Sequence, residues 1–238
     1  MNKNTPSPEL LSNFRTPAFP GSYFLSFEGI EGAGKSTQIQ SVIDYLEKKG
    51  MRVLIVREPG GTSFGERLRQ AVLGANHDLH PLAEAHLFAS SRAQLLHEVV
   101  MKELGVPGTA IICDRYIDST IAYQGLARDL GATTVLELHR AFPLCLVPHL
   151  TFYLRIGVQT SHARQKMRNA PKDYFERQGN SFYEKLVEGY DLAAQLFPNR
   201  ISVIDGERDF DAVNVDILAR LDQLLATKKT DHYHQHDD

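Results

Sequence analysis

Short apolar runs alternate with helical patterns along the middle of the chain. Five runs rich in β-branched and aromatic residues predict strands, and helical spacing follows each of them. Because the runs are almost continuously apolar, they favour a parallel sheet covered by helices on both faces. The pattern therefore predicts an α/β fold, a three-layer α/β/α domain with a five-stranded parallel sheet. The predicted strands are Tyr23–Glu28, Arg52–Arg57, Ala110–Cys113, Leu150–Arg155 and Arg200–Ile204.

The two ends of the chain differ from this alternating middle. Residues 1–20 contain four prolines among polar residues, which predicts a disordered N-terminal leader. Residues 227–238 predict a disordered tail that contains His232, His234 and His236. Alternating histidines could bind a metal ion, but the composition favours a solvated tail. A single domain is expected at 21–226.

Composition excludes several classes of protein. The 238 residues carry 26 Lys and Arg against 29 Asp and Glu, and this net charge of −3 argues against a nucleic-acid binder. Two cysteines are too few for a disulfide scaffold. No apolar run is long enough to span a membrane, and residues 1–20 lack the apolar stretch of a secretory signal. We therefore expect a cytoplasmic protein with no membrane partner.

A glycine-rich turn after the first predicted strand matches the phosphate-binding P-loop pattern G-x-x-x-x-G-K-[ST]. Backbone N–H groups in such a turn face a polyphosphate, and the following helix adds a partial positive charge. Lys35 is expected to reach the β- and γ-phosphates, and the Ser36 hydroxyl to bind Mg²⁺. The chain should therefore bind a nucleoside triphosphate together with Mg²⁺ as cofactor. The nucleotide-binding set is Gly29, Ile30, Glu31, Gly32, Ala33, Gly34, Lys35, Ser36 and Thr37.

A second group of polar residues follows the third predicted strand, at the same edge of the sheet. Asp114 stands where a carboxylate would polarise the Mg²⁺ shell, and Arg115 could clamp a phosphate. Thr120, Tyr123 and Gln124 recur at one helical turn and should form a polar face at the mouth of the cleft. These residues alone leave the phosphoryl acceptor open among water, protein and small molecules. The guanine-binding pattern N-K-x-D is absent from the sequence, which disfavours a GTPase.

Four motifs occur in the order seen in bacterial thymidylate kinases, and the chain resembles that family over about residues 22–225. The R-E-P-G-G-T and D-R-Y-x-x-S-x-x-A-Y-Q runs are specific, whereas the P-loop alone is generic. The resemblance implies a P-loop kinase fold, transfer of the ATP γ-phosphoryl group to dTMP, and a homodimer. The motifs are Gly29–Ser36, Arg57–Thr62, Phe88 with Arg92–Gln94, and Asp114–Gly125.

The resemblance also implies roles for individual residues. Phe88 would stack on thymine and Arg92 would read its O4 atom, and their i, i+4 spacing places both on one helix face. Spacing alone also allows Phe88 to be core and Arg92 to be a surface charge. Thr120 would bond the N3 edge of the base, and Glu31 would meet the sugar 3′-hydroxyl. The residues expected around the sugar and 5′-phosphate are Glu58, Arg69 and Arg115.

Tyr123 is the candidate for excluding a ribose. It follows Thr120 by three residues and Arg115 by eight, so a helix brings it back beside Thr120. If Thr120 reads the base and Arg115 holds the phosphate, a rigid ring between them would occupy the space of a 2′-hydroxyl. The alternative is that Tyr123 only packs the helix onto the sheet.

A basic segment at about 164–179, which we call the lid, is interrupted by Pro171 and cannot be helical throughout. Since the variable P-loop positions contain no arginine, a lid cation is expected to stabilise the transferred phosphoryl group. The alternative is a solvated charged face. The catalytic candidates are Lys35, Arg164, Arg168 and Asp114. Where relatives often carry D-R-hydrophobic-E, this chain has Asp173–Glu176 with tyrosine in place of the arginine.

Two further readings of these motifs stay open. Another nucleoside or nucleotide kinase would keep the P-loop and the lid but would not need Arg69 and Arg115 as phosphate clamps. A non-catalytic nucleotide-binding module would need no intact Lys35, Ser36 and Asp114, and the presence of all three counts against it.

Overall fold

The computed structural model describes residues 2–75, 79–168, 174–175 and 177–233. Within them, helices and strands alternate along the chain. The strands are β1 Tyr23–Glu28, β2 Arg52–Arg57, β3 Thr109–Asp114, β4 Leu150–Arg155 and β5 Ile201–Asp205. The helices are α1 Pro8–Leu11, α2 Lys35–Lys48, α3 Ser63–Leu73, α4 Pro81–Leu95, α5 Met101–Leu104, α6 Ile117–Thr120, α7 Ala132–Leu138, α8 Val158–Arg168, α9 Asn180–Leu196 and α10 Phe210–Tyr233.

In the described part of the chain the five strands form one parallel sheet in the order β2-β3-β1-β4-β5. β1 lies at the centre and every one of its residues is buried, as expected for a strand covered on both faces. Asp114 pairs in register with Phe27 on one side and Arg57 on the other, so these three strands end together. The predicted fold class is confirmed, and the P-loop follows β1 at this edge.

Two helices depart from regular α geometry. A π-helical segment at Leu96–Val100 joins α4 to α5, and another at Ile121–Ala127 continues α6. The second places Tyr123 and Gln124 on a wider turn than the predicted α-helix would. Extra residues of this kind frequently occur at functional sites, and both side chains line the pocket described below.

The structure contradicts the predicted disordered leader. Ser7 caps α1, and Leu10 and Phe14 are 5% and 8% exposed in the main core. The Phe14 ring meets Phe197 at 5.9 Å between centroids, and the Pro17 carbonyl lies 2.8 Å from the buried imidazole of His149. The proline-rich composition hid two apolar anchors, whose burial offsets the entropy lost on ordering the segment.

The predicted C-terminal tail is corrected in part. α10 runs to Tyr233, so residues 227–233 continue the helix and do not begin a separate tail. Residues 234–238 lie outside the described residues. Across the described ranges, no helix has both the length and the apolar character required to cross a bilayer.

Candidate active site

The P-loop joins the end of β1 to the first turn of α2. Gly29 has a φ of +138°, and a Cβ there would lie 2.6 Å from the carbonyl oxygen of Leu154, so only glycine fits. Lys35 is buried, and its Nζ donates to the carbonyl oxygen of Gly29 at 3.1 Å. Burial, with the nearby charge of Arg115, lowers the pKa of Lys35 to about 8. An anionic ligand would raise that pKa again, as expected of a phosphate-binding lysine.

The other predicted P-loop residues divide by exposure. Ile30 and Ala33 are buried, so they present only backbone groups to a ligand. Ser36 and Thr37 are exposed in the first turn of α2. Gly32 and Gly34 have positive φ angles, which is the conformation that turns successive N–H groups toward an anion.

The residues predicted to hold Mg²⁺ fit that ion. Asp114 is the last residue of β3, and its buried Oδ1 atom has no hydrogen-bond partner among the described residues. A buried carboxylate oxygen without a donor suits a hard cation or its water shell. Across the described residues no cluster of three His, Cys, Asp or Glu side chains could hold a metal alone. Magnesium bound by Ser36, Asp114 and nucleotide phosphates needs no such cluster.

Arg115 connects the P-loop to the neighbouring pocket. It has a φ of +71°, rare for a residue with a side chain, which indicates a turn held by its surroundings. Its Nη1 donates to the carbonyl oxygen of Gly29 at 3.0 Å and to the Tyr190 hydroxyl at 2.8 Å. Its Nη2 lies 3.7 Å from a carboxylate oxygen of Glu31.

The carboxylate of Glu28 stabilises this turn by accepting hydrogen bonds. Its carboxylate accepts from the Tyr116 backbone N–H and from the Ser119 hydroxyl, both at 2.6 Å. Burial, together with the charge of Asp118, raises the pKa of Glu28 to about 7. A charged residue at the end of an apolar strand is the signal in the sequence that could have indicated this role.

One pocket beside the P-loop gathers most of the predicted acceptor residues. Glu31 lies outside the pocket lining, but its carboxylate contacts Arg115, which lines the pocket. The predicted residues that line the pocket are Glu58, Arg69, Phe88, Arg92, Arg115, Thr120, Tyr123 and Gln124. The lining residues that sequence analysis missed are Pro59, Leu73, Tyr116, Ser119 and Phe175.

Arg92 is the buried centre of this pocket, with 1% of its surface exposed, so the alternative of a surface charge is wrong. Its Nε donates to Glu58 Oε2 at 2.8 Å, and its Nη2 donates to the same oxygen and to Thr120 Oγ1 at 3.0 Å. Nη1 lies 2.7 Å from Nε2 of His139. The Tyr116 ring lies beneath the guanidinium at 4.8 Å.

Glu58 lines the pocket, and its carboxylate pairs with Arg92, because an unpaired buried guanidinium would be costly. Its place beside the sugar and 5′-phosphate stays a prediction. Burial raises the pKa of Glu58, and the charge of Arg92 opposes that shift. Arg69 donates to the Pro59 carbonyl at 3.1 Å, and Gln124 donates to buried Glu84 at 2.7 Å.

Aromatic rings form the remaining wall. The Tyr123 ring packs edge-on against Phe175 at 5.1 Å and against Phe182 at 6.1 Å, and Arg115 lies over it at 5.4 Å. Phe88 lies 6.4 Å from Phe175. Tyr123 therefore has a fixed orientation and also contributes to packing, so the two readings of this residue are compatible.

Comparison with known proteins settles the family. The family model for thymidylate kinase matches residues 27–217. The chain belongs to the thymidylate kinase family. A thymidylate kinase of Thermoanaerobacter sp. (strain X514) is 39% identical over 195 residues, which are 82% of this chain and 95% of that protein. That of Alkalilimnicola ehrlichii is 38% identical over 208 residues, 87% of this chain and 94% of that protein.

A solved structure agrees with the sequence comparison. The crystal structure of thymidylate kinase from Ehrlichia chaffeensis superposes with a TM-score of 0.68 at 29% identity, covering 85% of this chain and all of that chain. The predicted resemblance to thymidylate kinases is confirmed. The N-terminal segment with Leu10 and Phe14 precedes the residues that the thymidylate kinase model matches.

The predicted lid is only partly within the described residues. Arg164 lies in α8 and donates to the carbonyl oxygens of Gly32 at 3.0 Å and Gly206 at 3.1 Å. Arg168 ends α8, and its side chain lies outside the described residues, as do residues 169–173 and 176. Arg177 donates to the Ala75 carbonyl at 3.2 Å, away from the P-loop.

Two residues that support the site carried no signal in the sequence. Tyr190 and Ser161 come from α9 and α8, yet Tyr190 bonds Arg115 and Ser161 donates to the Glu31 carbonyl at 2.6 Å. Tyr174, at the position of the expected lid arginine, is buried, with Arg128 over its ring at 5.7 Å. Phe175 belongs to an apolar pair in a polar segment, which was a usable sign of burial.

Proposed function

We propose that this chain transfers the γ-phosphoryl group of ATP, bound with Mg²⁺, to dTMP and releases ADP and dTDP. An oxygen of the dTMP 5′-phosphate attacks the γ-phosphorus while the bond to the β-phosphate oxygen breaks. The names of the related proteins support dTMP as the acceptor. The observation that carries the proposal is Arg115, which lines the acceptor pocket and bonds the first P-loop residue, Gly29.

The pocket residues suit a thymine nucleotide. Phe88 offers a face for stacking, and Arg92 offers a guanidinium N–H to the O4 carbonyl. Thr120 accepts a hydrogen bond from Arg92, and its second lone pair can accept from the thymine N3–H. In this proposal the Tyr123 ring occupies the space of a 2′-hydroxyl beside the sugar, and Glu31, whose carboxylate lies 3.7 Å from Arg115, meets the 3′-hydroxyl.

Side chains from separate structural elements would supply the charges around the donor and acceptor phosphates. Arg115 and Arg69 hold the acceptor phosphate, and Lys35 holds the β- and γ-phosphates of the donor. Ser36 and Asp114 would hold Mg²⁺, which neutralises charge on the transferred group when bound. Each group acts by position and charge, which is the main contribution a protein makes to phosphoryl transfer.

We assign the remaining transition-state cation to the lid arginines, Arg164 and Arg168. Arg164 bonds the Gly32 carbonyl and so lies against the P-loop. Arg168 follows it by four residues on the same helix, which places the two on one face. We name Arg168 as the residue that contacts the transferred group and Arg164 as the residue that orients the P-loop.

We also propose that the chain acts as a homodimer in the cytoplasm without a nucleic-acid partner. β2 is an edge strand, and Ile55 in it is 55% exposed. Phe64, at the start of the following helix α3, is 45% exposed. Sedimentation should give a dimer for the natural chain and a monomer for Ile55→Glu. A monomeric natural chain would overturn this part of the proposal.

The function is tested by ADP release with four separate acceptors: dTMP, dUMP, AMP and thymidine. We expect the highest kcat/KM with dTMP, a lower value with dUMP, and none above background with AMP or thymidine. Preference for thymidine would indicate a nucleoside kinase. ADP release at the same rate with and without an acceptor would indicate an ATPase. No ADP release at all would indicate a nucleotide-binding module.

A further inference from the structure

A histidine from a different helix supports the buried guanidinium of Arg92. His139 follows α7 directly, is fully buried, and lies 47 positions along the chain from Arg92. Its Nε2 is 2.7 Å from Arg92 Nη1, and its Nδ1 is 2.7 Å from the carbonyl oxygen of Val135. The family motifs do not include this residue.

The two contacts fix the protonation of the ring. A guanidinium can only donate hydrogen bonds, and a carbonyl oxygen can only accept them. Nδ1 must therefore carry the proton and donate to Val135, while the Nε2 lone pair accepts from Arg92. An imidazolium would direct an N–H at the guanidinium N–H. Consistent with this, burial and the charge of Arg92 lower the pKa of His139 to about 3.

The arrangement leaves one donor of Arg92 for a ligand. A guanidinium has five N–H groups. Nε and both hydrogens of Nη2 are directed to Glu58 and Thr120, and one hydrogen of Nη1 is directed to His139. Among the described residues, the second hydrogen of Nη1 has no assigned acceptor, and Arg92 lines the acceptor pocket.

We propose that neutral His139 is a positioning residue that sets the Nη1 group of Arg92 for the base carbonyl of the acceptor. Glu58 and Thr120 hold one side of the guanidinium, and His139 holds the other. Without the lone pair of His139, one Nη1 hydrogen would lose its acceptor, and the planar guanidinium would be held on one side only. This inference rests on the proposed function, because it needs an acceptor base with a carbonyl at that place.

The test compares two substitutions of His139 with a matched control. His139→Met keeps volume but removes the acceptor, whereas His139→Gln keeps an acceptor oxygen and a donor N–H. The control is His149→Met, because His149 is also buried and bridges the Phe24 N–H at 2.9 Å to the Pro17 carbonyl at 2.8 Å. It does not line the acceptor pocket.

We expect His139→Met to raise the dTMP KM about tenfold, to leave the ATP KM within about twofold, and to reduce the preference for dTMP over dCMP. Cytosine carries an amino group where thymine carries O4, so its rejection depends on the orientation of Arg92. His139→Gln should restore most of both properties. His149→Met should lower the melting temperature without moving either property.

A second readout does not depend on catalysis or on a variant that folds. Long-range ¹⁵N NMR of the natural chain should show His139 as the neutral Nδ1–H tautomer from pH 5 to pH 8. An Nε2–H tautomer or a charged ring would overturn the proposal. If the natural chain phosphorylates dTMP and folded His139→Met has an unchanged dTMP KM, the proposed role of His139 is wrong while the proposed function stands. A natural chain inactive on dTMP would overturn the proposed function.

Discussion

Arg115 donates a hydrogen bond of 3.0 Å to the carbonyl oxygen of Gly29, the first residue of the P-loop. One residue thus contacts the P-loop and lines the neighbouring pocket, which we propose bind the donor and the acceptor. Its φ of +71° is held by Glu28, which accepts from the backbone N–H of Tyr116, the next residue. This unusual turn places the guanidinium between the P-loop and the pocket.

We expect Lys35→Met to abolish phosphoryl transfer and to stabilise the ligand-free chain at pH 7. Burial lowers the pKa of Lys35 from 10.5 to about 8, so the folded state binds the proton less tightly than the unfolded state. Stability of the natural chain therefore rises between about pH 8 and pH 10.5. Below pH 8 the variant should be more stable by about 1–3 kcal/mol.

The measurement is urea unfolding of both chains at pH 7 and pH 10. The difference in unfolding free energy should shrink at the higher pH. A variant that is less stable at pH 7, or turnover like that of the natural chain, contradicts the proposed environment of Lys35.

Tyr123 should act as a steric gate for the sugar. We expect Tyr123→Ala to lose much of the preference for dTMP over its ribonucleotide, a penalty of about 1–3 kcal/mol. Tyr123→Phe keeps the ring and should keep the preference. Since the ring packs against Phe175 at 5.1 Å, the alanine variant should also melt at a lower temperature. A folded alanine variant with unchanged sugar preference, measured as a ratio of kcat/KM values, would refute the gate.

The two lid arginines should differ in kinetic signature. Arg168→Ala should lower kcat by orders of magnitude with little change in the dTMP KM, because the proposed contact strengthens in the transition state. Arg164→Ala removes hydrogen bonds to the carbonyls of Gly32 and Gly206, so it should raise the ATP KM as well. If Arg164→Ala alone reproduces the pure kcat effect, the two assignments must be exchanged.

The N-terminal segment should contribute to stability. We expect Phe14→Ala to lower the unfolding free energy by about 2–4 kcal/mol, because the ring is 8% exposed and packs on Phe197. The matched control is Glu9→Ala in the same segment, whose side chain is exposed. Equal stability of the two variants in thermal unfolding would contradict the packing seen for Phe14.

The sheet and the P-loop could be predicted because each depends on a pattern within a short stretch of sequence. A buried parallel strand is a short apolar run, and a P-loop is a fixed spacing of glycines, lysine and serine. The acceptor residues were located by motifs that resemble a family, and the structure brings eight of them to one pocket. The residues that hold these side chains in position could not be predicted in the same way.

Contacts between distant segments could not be predicted from local pattern. His139 and Tyr190 reach Arg92 and Arg115 across 47 and 75 positions, and no spacing rule connects them. Leu10, Leu11 and Phe14 have helical spacing, but the run is too short, and too closely surrounded by prolines and polar residues, to indicate burial. The pairing of Glu58 with Arg92 could not be predicted either, because only the folded chain shows which buried guanidinium needs this counter-charge.

The most direct test of the central claim follows the γ-phosphoryl group itself. The natural chain would be given γ-³²P-labelled ATP with dTMP, dCMP and AMP together at equal concentration, and the products would be separated. We expect the label in dTDP, and loss of that product in Arg115→Met, which removes the guanidinium between the P-loop and the pocket. Label in inorganic phosphate, or spread evenly over the three diphosphates, would contradict the account.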